Sequence, residues 1–222
     1  MRRIQLTVGE YYHLYNRGVD KRVIFTNKKE HRRFMAYLYL LNDATPGRPD
    51  IVLRQGVPTT FSEWEAKPLT PLVAIGAFCL MPNHFHIYAT PLVEDGISKF
   101  MQRVQTAYTM YFNEKHDRSG ALLQGTFKAR HVTNEQYAKY LFSYIHLNPA
   151  KLRDPLWKER SAREYASLRE FIRTYPYSSL AEYLSSEHEI SNPTAFPEYF
   201  THTTDLDAHI NFWLSTKDAV GG

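Results

Sequence analysis

The sequence is poor in cysteine: Cys79 is the single one among 222 residues. That excludes a disulfide framework and a thiolate zinc site, and makes a reducing cytoplasm the expected compartment. No apolar run reaches the ~18 residues that a membrane span needs, so no membrane partner is expected. The stretch MRRIQLTVGEYYHLYNRG carries basic residues with no apolar segment behind them, and does not read as a secretory signal. Internal repeats and long low-complexity tracts are missing. So are helix-turn-helix and zinc-finger patterns, which leaves no reader of the major groove.

What is present is ordinary in bulk and uneven in detail. Hydrophobic residues at 43% and charged residues at 23% exclude wholesale disorder. The length suits one domain with an appendage. Residues 176–222 hold seven acidic residues against Lys217 alone, a charge of −6, which leaves +10 on residues 1–175 of a chain whose total is +4. The division expected is therefore a basic body, 1–175, and an acidic C-terminal extension, 176–222. A body so basic points to a polyanion, nucleic acid being the usual one, although a solvated basic surface gives the same count. The 16 Tyr and 13 Phe fit a surface on which bases stack between cations, while most such rings normally belong to a core.

Local patterns give an order of elements. The first 18 residues read as a strand: residues 11–16 partly alternate, and Gly18 ends the run. Asn27 with Glu30 reads as a capping box opening a helix over about 27–42. Residues 43–70 read as a loop or insertion, with Ile51-Val52-Leu53 as its one candidate strand. Leu72–Leu80, the turn Met81-Pro82-Asn83 and His84–Thr90 form the clearest hairpin. The first of its strands is apolar throughout and is expected in the centre of a sheet. A helix follows Asp95-Gly96, with Ile97, Phe100, Met101, Val104, Tyr108 and Phe112 inward. Part of 122–132 reads as a strand. A further helix opens at Thr133, with Gln136 completing its box, and stops near Asn148 because Pro149 follows. A last helix is expected over 157–172. The sum is an α+β fold: a small antiparallel sheet with helices packed on one face, ferredoxin-like, plus the acidic extension.

Two constellations carry chemistry. In His84-Phe85-His86 the imidazoles share one strand face while Phe85 enters the core, so they can share a divalent metal. The plainer alternative is one structural and one solvated histidine. On the helix after Thr133, residues Tyr137, Tyr140, Leu141, Tyr144, Ile145 and Asn148 lie on one face. Most of these look like core. Tyr144 and Asn148, one turn apart at the helix end, are where a site can open. An amide oxygen suits a hard cation, and a tyrosine beside that cation can be a nucleophile, though core packing of Tyr144 is the simpler reading.

Four blocks together resemble the single-tyrosine transposases of the HUH class, and within it the REP-associated tyrosine transposases, a branch of the IS200-like group. They are Tyr11-Tyr12-His13-Leu14-Tyr15-Asn16-Arg17-Gly18, Met81-Pro82-Asn83-His84-Phe85-His86, Leu123-Gln124-Gly125-Thr126-Phe127-Lys128 and Tyr144-Ile145-His146-Leu147-Asn148-Pro149. They come in the family's order across about residues 8–155. The link 43–70 is longer than the family's usual one, and the segment after 176 lies outside the shared motifs.

The resemblance implies a DNA transposase and endonuclease that nicks and rejoins single strands bearing hairpins. It implies Tyr144 as catalytic nucleophile, forming a 5′-phosphotyrosine, and His84, His86 and Asn148 as metal ligands. Mg²⁺, which shares substrate phosphate oxygens, is the expected ion, with Mn²⁺ as the substitute. Arg17, Lys21, Arg22, Arg103, Lys128, Arg130 and His131 are candidate phosphate contacts. His146 reads as structural or surface. The assembly is a monomer, or a homodimer exchanging the tyrosine helix. Two other readings account for part of the pattern. One is a domesticated relative that binds structured single-stranded DNA or RNA without cutting. The other is a metal-dependent hydrolase using water, which leaves the Tyr144–Asn148 spacing unexplained.

Overall fold

A computed structural model describes residues 4–58, 60–61, 69–157 and 165–197. In chain order the elements are β1 (Tyr12–Arg17), α1 (Lys28–Leu40), α2 (Pro49–Val52), β2 (Val73–Met81), β3 (His84–Pro91), α3 (Gly96–Lys115), β4 (Lys128–His131), α4 (Glu135–Leu147), α5 (Ala150–Arg153), α6 (Tyr165–Arg173) and α7 (Leu180–Ser185). The four strands make one antiparallel sheet in the order β2-β3-β1-β4. This is the α+β, ferredoxin-like arrangement expected, two split β-α-β units interleaved in one sheet.

The helix caps follow local chemistry. Asn27 accepts from Glu30 N at 3.2 Å, and the Glu30 carboxylate turns back to Thr26 N at 2.6 Å, one residue beyond the usual box partner. α4 starts one residue later than expected: Asn134, not Thr133, is the cap, accepting from Tyr137 N at 2.8 Å. Ile51-Val52-Leu53 is no strand. Pro49, at the first helical position, presets its own φ for a helical turn, and α2 runs on into the 3₁₀ turn Leu53–Gln55. Of the helix expected at 157–172, the described part is α6; residues 158–164 lie outside the described residues.

Period-two alternation sends side chains to two separate cores. Leu14, Phe78, Leu80, Phe85 and Ile87 pack with Phe34 of α1 and Phe100, Val104 and Tyr108 of α3. Ala77, Cys79, Met81 and Tyr88 face the other way, onto Leu141, Phe142 and Ile145 of α4 and onto Ile172, Tyr175, Leu180, Tyr183 and Phe196. Helices thus cover both faces, where the element order suggested one. Fully burying a side chain such as Phe85 contributes about 1.5–3 kcal/mol.

β2 is buried along its whole length yet is an edge strand, not a central one. The chain after α6 covers that edge. Leu80 N donates to Tyr177 O (2.9 Å), Ser179 N to Phe78 O (3.0 Å) and Asn192 N to Ile75 O (2.8 Å). Tyr175 and Tyr183 hydroxyls donate to Leu80 O (2.7 Å) and Gly76 O (2.6 Å). Gly76 sits at an irregularity in the β2–β3 register, where a Cβ would lie 2.8 Å from the Phe196 ring. The chain therefore passes residue 175 without a break in packing, and residues 176–197 are continuous with the α4-side core. Residues 198–222, with Glu198, Asp205, Asp207 and Asp218, lie outside the described residues.

Candidate active site

The sheet face under α4 carries three cross-strand rows. Register aligns Met81, His84 and Arg17; then Cys79, His86, Tyr15 and Lys128; then Ala77, Tyr88, His13 and Arg130. The middle of this face opens into a cleft of about 550 Å³, lined by Tyr15, Asn16, Arg17, Lys21, Asn83, His84, Phe85, His86, Gln124, Lys128 and Tyr144. α4 lies over one side of it. The Tyr144 ring stands edge-on to His86, with centroids 5.3 Å apart, and 6.3 Å from that of His13.

The two strand histidines behave as alternation requires. Phe85 is buried against Phe34, at 5.1 Å, while His84 and His86 share the cleft face with centroids 5.0 Å apart. Burial, then the charges of Lys151 and Arg17, hold His84 down at about 4. Burial, then His13, His84 and Lys151, hold His86 well below the usual histidine range. Both imidazoles are neutral at pH 7 and keep a lone pair.

Each ring also has one nitrogen already engaged. His84 Nδ1 lies 2.6 Å from Asn83 Oδ1. The Asn83 amide is oriented from its other end, because its Nδ2 donates to Lys21 O at 3.1 Å. His84 Nδ1 must therefore be the donor, which leaves the lone pair on Nε2. His86 Nδ1 lies 2.8 Å from His13 Nε2, in a buried contact.

Asn148 is 2% exposed at the end of α4. Its Nδ2 donates to Tyr144 O at 2.8 Å, and its Oδ1 is buried without a partner. Such an oxygen is costly unless something else fills its valence. Among the described residues no three His, Cys, Asp or Glu side chains converge as a metal site. Two neutral imidazoles with an orphaned amide oxygen are nonetheless a donor set that fits a divalent ion. Burial pushes the Tyr144 phenol up, and the Asn148 amide draws it partly back.

The candidate cations divide. Arg17, Lys21 and Lys128 are exposed at the cleft. Arg17 Nε donates to Gln124 Oε1 at 2.8 Å, and Gln124 N to Arg17 O at 2.9 Å, so the 122–125 loop is clamped to β1. Asn16 reinforces that clamp, its Nδ2 reaching Gln105 Oε1 (2.7 Å) and Gly125 O (3.0 Å). Lys21 sits on a turn with Asp20 and Lys21 both at positive φ (55° and 59°), packed so closely that a Cβ on Gly18 would meet Arg22 O at 2.3 Å. Arg22 donates to Val19 O. Arg130 lies over the Tyr137 ring at 4.8 Å. His131 pairs with Glu10 at 2.7 Å. Arg103 is on α3, on the opposite side of the sheet, and donates to Asp43 O and Ala44 O. His146 is fully buried, its Nε2 2.7 Å from Ser179 Oγ.

Sequence reasoning passed over His13, Asn83, Gln124 and Lys151. Lys151 Nζ stands 5.6 Å from the Tyr144 ring centre. Its place three residues after Asn148 was the available signal. For His13 the signal was its alternation with Tyr15.

Residues 68–148 match the transposase family described as IS200-like. That window holds His84, His86, Tyr144 and Asn148, and leaves out β1. No curated protein matches the chain. Among solved structures, a REP-associated tyrosine transposase bound to a REP hairpin matches with a TM-score of 0.50 and 14% identity, over 86% of this chain and 90% of that one. At that identity the likeness is one of fold.

Proposed function

We propose that this protein nicks and rejoins single-stranded DNA bearing a hairpin, through a 5′-phosphotyrosine on Tyr144. The observation that carries the reading is the 5.3 Å approach of the Tyr144 ring to His86 within one chain, at a cleft edged by Arg17, Lys21 and Lys128. The transposase match over 68–148 and the hairpin bound to the solved structural relative support the reaction class and the substrate.

In the forward step the Tyr144 oxygen attacks the scissile phosphorus. A Tyr–O–P bond forms and the P–O3′ bond breaks. The phenol gives up its proton and the departing strand end leaves as a 3′-hydroxyl. The 3′-hydroxyl of a second strand attacks in reverse, restores the phosphodiester and returns the proton to Tyr144, so bond energy is conserved. His84, His86 and Asn148 are the residues that would hold a divalent ion, Mg²⁺ by preference and Mn²⁺ as alternative. When bound, the ion supplies positive charge that polarises the phosphate and favours the phenolate. Burial pushes the Tyr144 phenol up from the ordinary tyrosine value, which disfavours the phenolate in the free protein. Arg17, Lys21 and Lys128 hold the strand by its backbone, and Lys151 adds a cation on the tyrosine side.

The test is a labelled hairpin oligonucleotide with a single-stranded flank, incubated with protein and Mg²⁺ or Mn²⁺ and resolved under denaturing conditions. A covalent protein–DNA species and a free 3′-hydroxyl product are expected. Turnover without an adduct would mean water is the nucleophile. A retarded native band with no product under either ion would mean a binding protein.

A further inference from the structure

The two strand histidines are held in the same manner from different places. Each is gripped at Nδ1: His84 by the Asn83 side-chain amide oxygen, His86 by His13 Nε2. For His84 the donor is settled, since an amide oxygen only accepts. For His86 two arrangements satisfy the 2.8 Å contact. Either His86 Nδ1–H donates to His13, or His13 Nε2–H donates to His86. Only the first leaves His86 Nε2 with a lone pair, matching His84. We propose that His13 is a positioning residue: it accepts the Nδ1 proton of His86 and so fixes the tautomer in which His86 Nε2 can ligate a cation beside His84 Nε2.

This rests on the metal-site reading above and adds a residue outside the family-matched window. The geometry of His13 suits the role. Its backbone is locked in β1, opposite Tyr88 on β3 and Arg130 on β4. It is the diagonal neighbour of His86 on the same sheet face, within side-chain reach. Its ring meets His86 edge to edge, with centroids 5.0 Å apart and planes 28° apart, and has Tyr15 at 4.9 Å and Tyr144 at 6.3 Å. With a cation bound at Nε2, the His86 Nδ1–H would be more acidic and its bond to His13 stronger, the coupling that outer-shell partners of metal-bound histidines provide.

The test has two arms. Long-range ¹H–¹⁵N spectra of the metal-free protein, labelled at histidine, read the His86 tautomer directly. A protonated Nδ1 with a bare Nε2 is expected, and a protonated Nε2 would overturn the proposal. Mn²⁺ affinity is then measured by electron paramagnetic resonance, without DNA. His13→Phe keeps an aromatic ring and removes the acceptor; it should weaken binding by about 10- to 100-fold. His13→Gln returns an acceptor oxygen near the Nε2 position and should recover most of that loss. Wild-type affinity in His13→Phe would overturn the proposal. If His13→Phe fails to fold, the wild-type spectrum and His13→Gln still decide. Failure of DNA cleavage alone would count against the Tyr144 reaction and leave the tautomer result standing.

Discussion

Asn148 turns its amide nitrogen back onto the Tyr144 carbonyl oxygen, one helical turn earlier, at 2.8 Å, and keeps its amide oxygen buried and unpartnered. The proposed metal ligand and the proposed nucleophile are thus tied through the backbone of one helix end. Replacing Asn148 with Ala removes the proposed third donor and should weaken Mn²⁺ binding at least ~10-fold. Asn148→Asp adds a charge and should bind Mn²⁺ more tightly than wild type. Titration of the DNA-free protein reads both. An Asn148→Ala variant with wild-type affinity would remove Asn148 from the ligand set.

Tyr144→Phe keeps the ring against His86 and removes only the oxygen. Adduct formation should fall at least ~1000-fold, as expected when an essential nucleophile is lost, while hairpin affinity stays within a few-fold of wild type. Denaturing gels and native gels measure the two separately. A persistent adduct in Tyr144→Phe would move the nucleophile elsewhere.

The cleft cations and Arg103 should behave differently. Changing Arg17, Lys21 and Lys128 together to Gln should cut the slope of log affinity against log salt by ~0.7 for each phosphate that is no longer neutralised. Arg103→Gln should leave DNA affinity unchanged, because its guanidinium is spent on Asp43 O and Ala44 O across the sheet from the cleft. Salt titrations of both variants check this. Equal losses would place the DNA on a different surface.

The buried His146–Ser179 contact predicts an acid-sensitive fold. Burial holds His146 at about 3, while an unfolded histidine takes up a proton near 6.5. Between those values the unfolded chain binds more protons than the folded one, so stability falls as pH drops from 6.5 towards 3, by up to ~1.4 kcal/mol per pH unit for this group. His146→Gln should flatten the pH dependence of urea unfolding over that interval. An unchanged slope would assign the acid sensitivity to other buried groups.

Residues 176–197 should be needed for folding. Ending the chain at Tyr175 strips partners from Ile75 O, Phe78 O and Leu80 N and uncovers Leu180's and Phe196's packing sites on the sheet. The truncated protein is expected to be insoluble or partly unfolded. Tyr183→Phe, a milder change, leaves Gly76 O without its 2.6 Å donor and should cost about 1–3 kcal/mol by urea unfolding. A soluble truncation with an unchanged melting temperature would mean the C-terminal segment merely rests on the sheet.

Local sequence was enough for much of this protein. Alternation placed His84 and His86 on one face and Phe85 on the other. Helical spacing put Tyr144 and Asn148 one turn apart, and the Asn27 and Pro149 signals set helix ends to within a residue or so. These are properties of chemically short range, governed by backbone periodicity and by side chains bonding to nearby peptide groups. Continuous apolarity made β2 look central, because a sequence records that a strand is covered and not what covers it. Its edge is closed by backbone from about a hundred residues later, at Tyr177, Ser179 and Asn192. The cleft is likewise a matter of register. His13 and His86 are 73 residues apart, and only the pairing of β1 with β3 brings one ring nitrogen to 2.8 Å from the other. A one-residue slip would turn either imidazole to the far side of the sheet, so the proton's position on His86 is decided in three dimensions.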